Sequence, residues 1–161
     1  MDNVLMDDEQ AMRLAIREAF VAREHGEDPF GAVLLDPDGA VCHAAHSRCV
    51  ALSDPTAHAE MLIIREYCQR DKRIYLKGYT LVCSAETCSM CSGAIKWAKI
   101  QKVVFSVPQS YLQEISGGRP KPSCESILNS GYIQIQIIGN VLFEEGKKIF
   151  EQFQFTPKDR P

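Results

Sequence analysis

Apolar positions change their period along the chain, and each change marks an element. Met12, Ala15, Ile16, Ala19 and Phe20 recur at helical spacing, with Arg13, Arg17 and Glu18 between them. That spacing predicts an amphipathic helix over 9–24, with Gly26 near its C-terminal end. Residues 31–35 form a short apolar run that predicts a strand. Asp36-Pro37-Asp38-Gly39 is a turn signal, because proline presets φ and glycine accepts positive φ. The chain is then expected to return over 41–45 as the second arm of a hairpin.

Ser53-Asp54-Pro55-Thr56 starts a helix over 58–69, with Met61, Ile64 and Cys68 on one side. Residues 80–84 read as a buried strand. A third helix is expected over 88–99 with Met90, Ala94 and Trp97 inward, and another apolar strand over 103–107. The next segment, Ser116-Gly117-Gly118-Arg119-Pro120-Lys121-Pro122-Ser123, belongs to a longer connection. Ser123 then caps a short helix through Asn129. Ile133, Ile135 and Ile137 alternate with Gln134 and Gln136, the period of a strand over 132–138 with one wet face. Leu142, Phe143, Ile149, Phe150 and Phe153 close the pattern with a helix over 142–153, and 154–161 is expected to be a mobile tail. There is no internal repeat or domain boundary, so 1–161 reads as one domain with a core of about 9–153.

The order α-β-β-α-β-α-β-α-β-α predicts an α/β fold, a mostly parallel sheet between helices. Crossovers that leave neighbouring parallel strands begin at the same sheet edge. The helices starting at His58 and at Cys88 are therefore expected to open together, at the edge where ligand sites collect.

Composition narrows the classes. At 161 residues the chain is the size of one domain, and 45% hydrophobic with 24% charged residues argues against disorder or a coiled coil. No apolar run is long enough to span a bilayer. The acidic start, Met1-Asp2-Asn3-Val4-Leu5-Met6-Asp7-Asp8-Glu9, lacks the order of a signal peptide, so the expected location is cytoplasmic, with no membrane partner. The net charge of −3 lacks the basic excess of a protein living on nucleic-acid backbones. Arg65–Lys77 and Lys96–Lys121 lean positive locally and read first as solvated faces.

Seven cysteines stand at 42, 49, 68, 83, 88, 91 and 124. Their odd number and scattered spacing argue against a disulfide framework. Five lie in or beside apolar stretches and read as small core residues. Cys88 and Cys91 form a Cys-x-x-Cys pair, which alone is compatible with redox chemistry, half a metal site or chance. A lone His58 at a helix start is more often a structural hydrogen bonder. Brought to one edge, however, one imidazole and two thiolates make a three-ligand zinc set, and the fourth position is left to water. Zinc lowers the pKa of such water toward about 7. Glu60, two residues from His58, is placed to move protons there, a role worth typically ~10²–10⁴-fold. Its bland alternative is a favourable charge at the helix start.

Pro55-Thr56-Ala57-His58-Ala59-Glu60 and Glu86-Thr87-Cys88-Ser89-Met90-Cys91 together resemble the cytidine-deaminase-like zinc deaminases. Pro29-Phe30-Gly31-Ala32-Val33 and Ser92-Gly93-Ala94 are similar to the branch acting on free bases and on tRNA adenosine. The resemblance covers about 9–153. It implies a three-layer α/β/α sandwich around a five-stranded mixed sheet, commonly in homodimers or tetramers. It also implies that zinc-activated water attacks an amino-bearing ring carbon and ammonia leaves. His58, Cys88 and Cys91 match the metal positions and Glu60 the proton shuttle. Thr87 stands where the family usually has proline, which predicts a freer loop into the site. Ser47 stands where many relatives have a ring-binding asparagine.

Phe30, Ser47, Ala57 and Glu114 are the candidate substrate contacts. Phe30 offers a stacking face, the charge suits a small neutral substrate, and the resemblance to guanine deaminases makes Phe150, Phe153 and Phe155 a cover for the pocket. A purine such as guanine is therefore the first expectation. For Glu114 and Phe155, a solvated loop charge and tail packing are equal alternatives. A tRNA adenosine deaminase is second, with Lys99, Lys102, Arg119 and Lys121 as part of a basic groove, and a cytosine deaminase third. A non-catalytic zinc-binding protein is the alternative of another class.

Overall fold

The computed structural model describes residues 4–155 and shows five strands and seven α-helices in that range. Helix α1 (Asp8–Glu24) begins at Asp7, whose carboxylate accepts from the Gln10 N–H while the Gln10 side chain accepts from the Asp7 N–H. Its buried stripe holds Met12, Ala15, Ile16 and Ala19 as the periodicity predicts, with Ala11 and Ala22 added, while Phe20, expected inward, is exposed. Strands β1 (Gly31–Leu35) and β2 (Val41–His46) form the expected hairpin. A one-turn helix, α2 (Cys49–Leu52), precedes α3 (Ala59–Arg70). Then come β3 (Thr80–Ala85), α4 (Ser89–Ala98) and β4 (Lys102–Val107).

The sheet order is β2-β1-β3-β4-β5, with β1 antiparallel to both neighbours and β3, β4 and β5 mutually parallel. Strand β2 therefore runs in the same direction as β3, β4 and β5. The two crossovers do leave the same edge, but β2 and β3 are not neighbours: β1 lies between them. Helix α1 covers one face, meeting Val33, Leu35, Val82 and Val104. Helices α3 and α4 cover the other, over Ala32, Leu34, Leu81 and Val103. The result is a three-layer α/β/α arrangement.

Contact between α1 and β1 is close enough to demand glycine. A Cβ on Gly31 would sit 2.3 Å from the Ala15 carbonyl and 2.5 Å from the Ala19 nitrogen. None of the seven cysteines is in a disulfide, and Cys83, Cys91 and Cys124 are buried.

The last third departs from its pattern. The connection after β4 contains a helix, α5 (Gln109–Ser116), followed by α6 (Cys124–Leu128), which Ser123 caps as expected. Strand β5 (Gln136–Ile138) is only three residues long, and Tyr132 and Ile133 are exposed rather than paired. It meets β4 only over Lys102–Val104, because the next β4 carbonyl, that of Phe105, accepts from Val141 in a loop. The closing helix breaks into α7 (Phe143–Lys147) and a 3-10 turn, Lys148–Phe150, where the Ile149 carbonyl is taken by Arg23 at 2.8 Å. Of the expected tail, Phe155 packs against Phe150 and Phe153, and 156–161 lies outside the described residues.

Two helix faces are also rotated from expectation. In α4 the buried residues are Cys91, Ser92, Ile95 and Ala98, and Trp97 is 84% exposed. In α3 they are Ala59, Glu60, Leu62, Ile63 and Tyr67, with Met61, Ile64 and Cys68 at the margin. No described helix is long and apolar enough to cross a membrane.

Candidate metal centre and active site

The loop into α3 is built from short polar contacts. Asp54 accepts from the Thr56 N–H at 2.8 Å and from its hydroxyl at 2.7 Å, a turn closed by its own side chain. These bonds hold the Asp54 carboxyl below the ordinary carboxylate range. The Ala57 N–H then donates to the Asp54 carbonyl and the His58 N–H to that of Thr56. His58 thus becomes the N-cap of α3 with an extended backbone, and its ring faces the start of α4. Cys88 is the N-cap of α4 and accepts from the Cys91 N–H at 3.5 Å, so both sulfurs sit on the first turn.

These helix starts meet. His58 Nδ1 lies 3.6 Å from Cys88 Sγ and 3.6 Å from Cys91 Sγ. The three donor atoms all lie within 4.8 Å of one another. Bonds of about 2.3 Å to sulfur and 2.0–2.1 Å to nitrogen, at a tetrahedral angle, put those ligand atoms about 3.6 Å apart. The donor set therefore fits a zinc ion in both chemistry and spacing.

The electrostatics are those of a site made for a cation. Of the two thiols, Cys88 ionises first, down to about 3. The Cys91 S–H leads in stabilising its thiolate, and the His58 ring and the Cys91 N–H add to it against burial. The proton on Cys91 is held far above the ordinary thiol range by the bond to Cys88 and by burial. A divalent cation supplies the charge needed to release it. Glu60 is 7% exposed, and its carboxyl accepts from Cys91 Sγ at 3.6 Å. Burial is the leading cause of its raised pKa, opposed by its own backbone N–H and by His58.

Three of the four candidate substrate contacts are tied together through the main chain. The Ser47 N–H donates to the Phe30 carbonyl at 3.0 Å, and the Arg48 N–H to the Ala57 carbonyl at 2.9 Å. Ser47 and Ala57 are buried, while Phe30 is half-buried with its ring 5.9 Å from that of Phe150. Glu114 is exposed on α5, not in a loop before the last strand, and no described hydrogen bond or ion pair joins it to the others.

Residues 5–107 match the model of the cytidine and deoxycytidylate deaminase zinc-binding region. The chain belongs to that deaminase family. Over 101 residues this deaminase is 45% identical to a tRNA-specific adenosine deaminase of Aquifex aeolicus, covering 63% of this chain and 66% of that one. The chain thus spans just under two thirds of that relative's length. A solved tRNA:A34 deaminase, which edits A to I at the wobble position, superposes with a TM-score of 0.74 at 29% identity, over 87% of this chain and 98% of that one. A guanine deaminase from Bacillus subtilis superposes at 0.64 and 26%, over 95% and 99%. What the match shows is membership of that zinc-binding family, and His58, Cys88 and Cys91 are this chain's candidate ligands.

Sequence reasoning passed over several residues around the centre of this deaminase. Cys83, on β3, is buried beside Glu60. Ser92 is buried, and its hydroxyl pairs at 2.7 Å with that of Thr87, which is buried too. Glu27 accepts from the Val50 and Ala51 N–H groups and so caps α2 beside Ser47. Glu86 does the same for helices further along the chain. Such long-range caps leave no local signal, because cap and helix lie 23 or more residues apart.

Proposed function

We propose that this deaminase acts on a free aminopurine, guanine foremost, with His58, Cys88 and Cys91 as zinc ligands and Glu60 as the proton shuttle. The observation that carries this reading is Glu60. It is a buried carboxyl 3.6 Å from the Cys91 sulfur, with its pKa raised, beside three residues, His58, Cys88 and Cys91, that could hold a metal ion. A purely structural site has no need of that carboxyl.

Zinc, when bound, acts as the Lewis acid that makes water nucleophilic at neutral pH. The chain's own residues do the rest. Glu60 takes the proton released by the attacking water and passes it to the exocyclic amino group, which leaves as ammonia. The ring carbon keeps the oxygen, so an amino-heterocycle and water become an oxo-heterocycle and ammonia. Burial raises the Glu60 carboxyl above its ordinary range, the direction that helps a carboxylate accept a proton.

Several features support a purine base. Phe30 continues into an aromatic wall through Phe150, on which Phe155 stacks at 5.9 Å. Beside the Ser47–Ala57 segment, the His46 ring meets the Glu18 carboxylate at 3.0 Å and Arg65 pairs with Asp54 at 3.7 Å. The guanine deaminase fold extends over nearly the whole chain. A second reading, adenosine in a tRNA anticodon loop, is favoured by the 45% identity to a tRNA-specific enzyme. The exposed Trp97, Ile74 and Tyr75 support a homodimer in either case.

An ammonia-release screen over guanine, adenine, cytosine, their nucleosides and a tRNA anticodon stem-loop tests the reading. Release from guanine is expected. Release from the stem-loop alone overturns the purine-base assignment in favour of the second reading, and release from no substrate by zinc-loaded protein overturns catalysis.

A further inference from the structure

Glu86 opens the two-residue segment between β3 and Cys88. Its backbone N–H donates to the Val107 carbonyl at 2.8 Å. Its side chain turns the other way, into the last third of the chain. One carboxylate oxygen accepts from the Gln109 N–H at 3.1 Å and the other from the Cys124 N–H at 2.8 Å. These are the first N–H groups of α5 and α6, two of the donors that a helix start leaves without an intrahelical partner. Pro108, the N-cap of α5, has no side-chain acceptor to offer, so Glu86 supplies that cap from 23 residues away. A single anion thus sits at the positive ends of two helices and fixes both ends of the 109–123 excursion.

We propose that Glu86 is a positioning residue for the metal centre. Its doubly capped carboxylate holds the Thr87–Cys88 segment in register, so that Cys88 and Cys91 meet His58 at ligand spacing. This role answers the family departure at Thr87. Where proline would stiffen the loop through φ, this chain anchors it from one side by Glu86 and from the other by the buried Thr87–Ser92 hydroxyl pair. The inference rests on the proposed ligand assignment, and it also couples the 109–123 excursion to the metal loop.

Residues that orient ligands from outside typically alter metal affinity or activity by about 10–100-fold. Glu86→Gln keeps the shape but leaves one acceptor and turns an amide donor toward a helix N–H. Zinc-loaded protein is mixed with a chromophoric chelator well below its thermal midpoint, and zinc release is timed beside kcat and KM. Glu86→Gln is expected to release zinc about ten-fold faster and to lose a similar factor in kcat, with KM little changed. Gln109→Pro removes only one of the two donors and suits the first helical position, so it is expected to speed release by a smaller factor, and it carries the test if Glu86→Gln fails to fold. A lowered thermal midpoint with wild-type zinc release in both variants overturns the proposal and leaves Glu86 a helix cap only. Absence of ammonia release from the wild type would count against the proposed function, while zinc release still decides the role of Glu86.

Discussion

Residues 5–107 and residues 108–155 are organised on different plans. The first stretch contains four of the five strands, both long crossover helices and every proposed metal ligand. Its elements carry their own signals: a capping box for α1, a proline–glycine turn for the hairpin, a side-chain turn before α3. The second stretch is a covering held by contacts to the first. Glu86 caps two of its helices, the Ser106 hydroxyl donates to the Leu142 carbonyl at 3.0 Å, and Arg23 holds the Ile149 carbonyl. Chemistry common to a family belongs in a region that folds by local rules. A covering defined by docking is free to vary with the substrate.

The comparison breaks most sharply at the metal. Cys88→Ala is expected to abolish zinc binding and turnover together, checked by elemental analysis and ammonia release. Full zinc retention would remove Cys88 from the ligand set. Glu60→Gln should keep one zinc per chain and lose about 10²–10⁴ in kcat. If it loses zinc as well, Glu60 belongs to the metal's support rather than to proton transfer.

The covering predicts a stability effect instead. A Cβ on Gly146 in α7 would lie 2.2 Å from the buried Ser106 Oγ, the group that holds Leu142. Gly146→Val is expected to destabilise by about 1–3 kcal/mol, read by denaturant unfolding, with zinc content unchanged. Loss of zinc in this variant would show that the two stretches are one cooperative unit.

The smallest expected effect is at Asp54. Its depressed carboxyl contributes stability that is present above the unfolded pKa of about 3.9 and lost as pH falls through the lower folded value. Asp54→Asn keeps an acceptor for the turn but removes the charge. The acid-side fall of the thermal midpoint below about pH 4 should therefore flatten, while the neutral-pH midpoint falls slightly.

How much could be read from the chain follows the same division. Helix α1, β1, α3, β3, α4 and β4 were legible to within a residue or two, because each carries its own periodicity or cap. The metal trio was legible because both motifs begin helices at one sheet edge, although the intervening β1 was not foreseen. The facing of α4 was misjudged for an instructive reason. Met90, Ala94 and Trp97 and the neighbouring set Cys91, Ile95 and Ala98 are two apolar ridges with the same spacing. Periodicity cannot choose between them, but the requirement that Cys91 face His58 does. Helix α5 and the shortness of β5 were illegible because distant groups decide them, the carboxylate of Glu86 and the capture of the Phe105 carbonyl by Val141.

The placement of β1 has a last implication. The imidazole arrives on the chain leaving β2, and the sulfurs on the chain leaving β3. The strand threaded between those two enters before either. An ion gripped by all three donors therefore requires residues 31–35 to be seated between β2 and β3. A fragment carrying both motifs without that intervening strand would have no reason to bring them together.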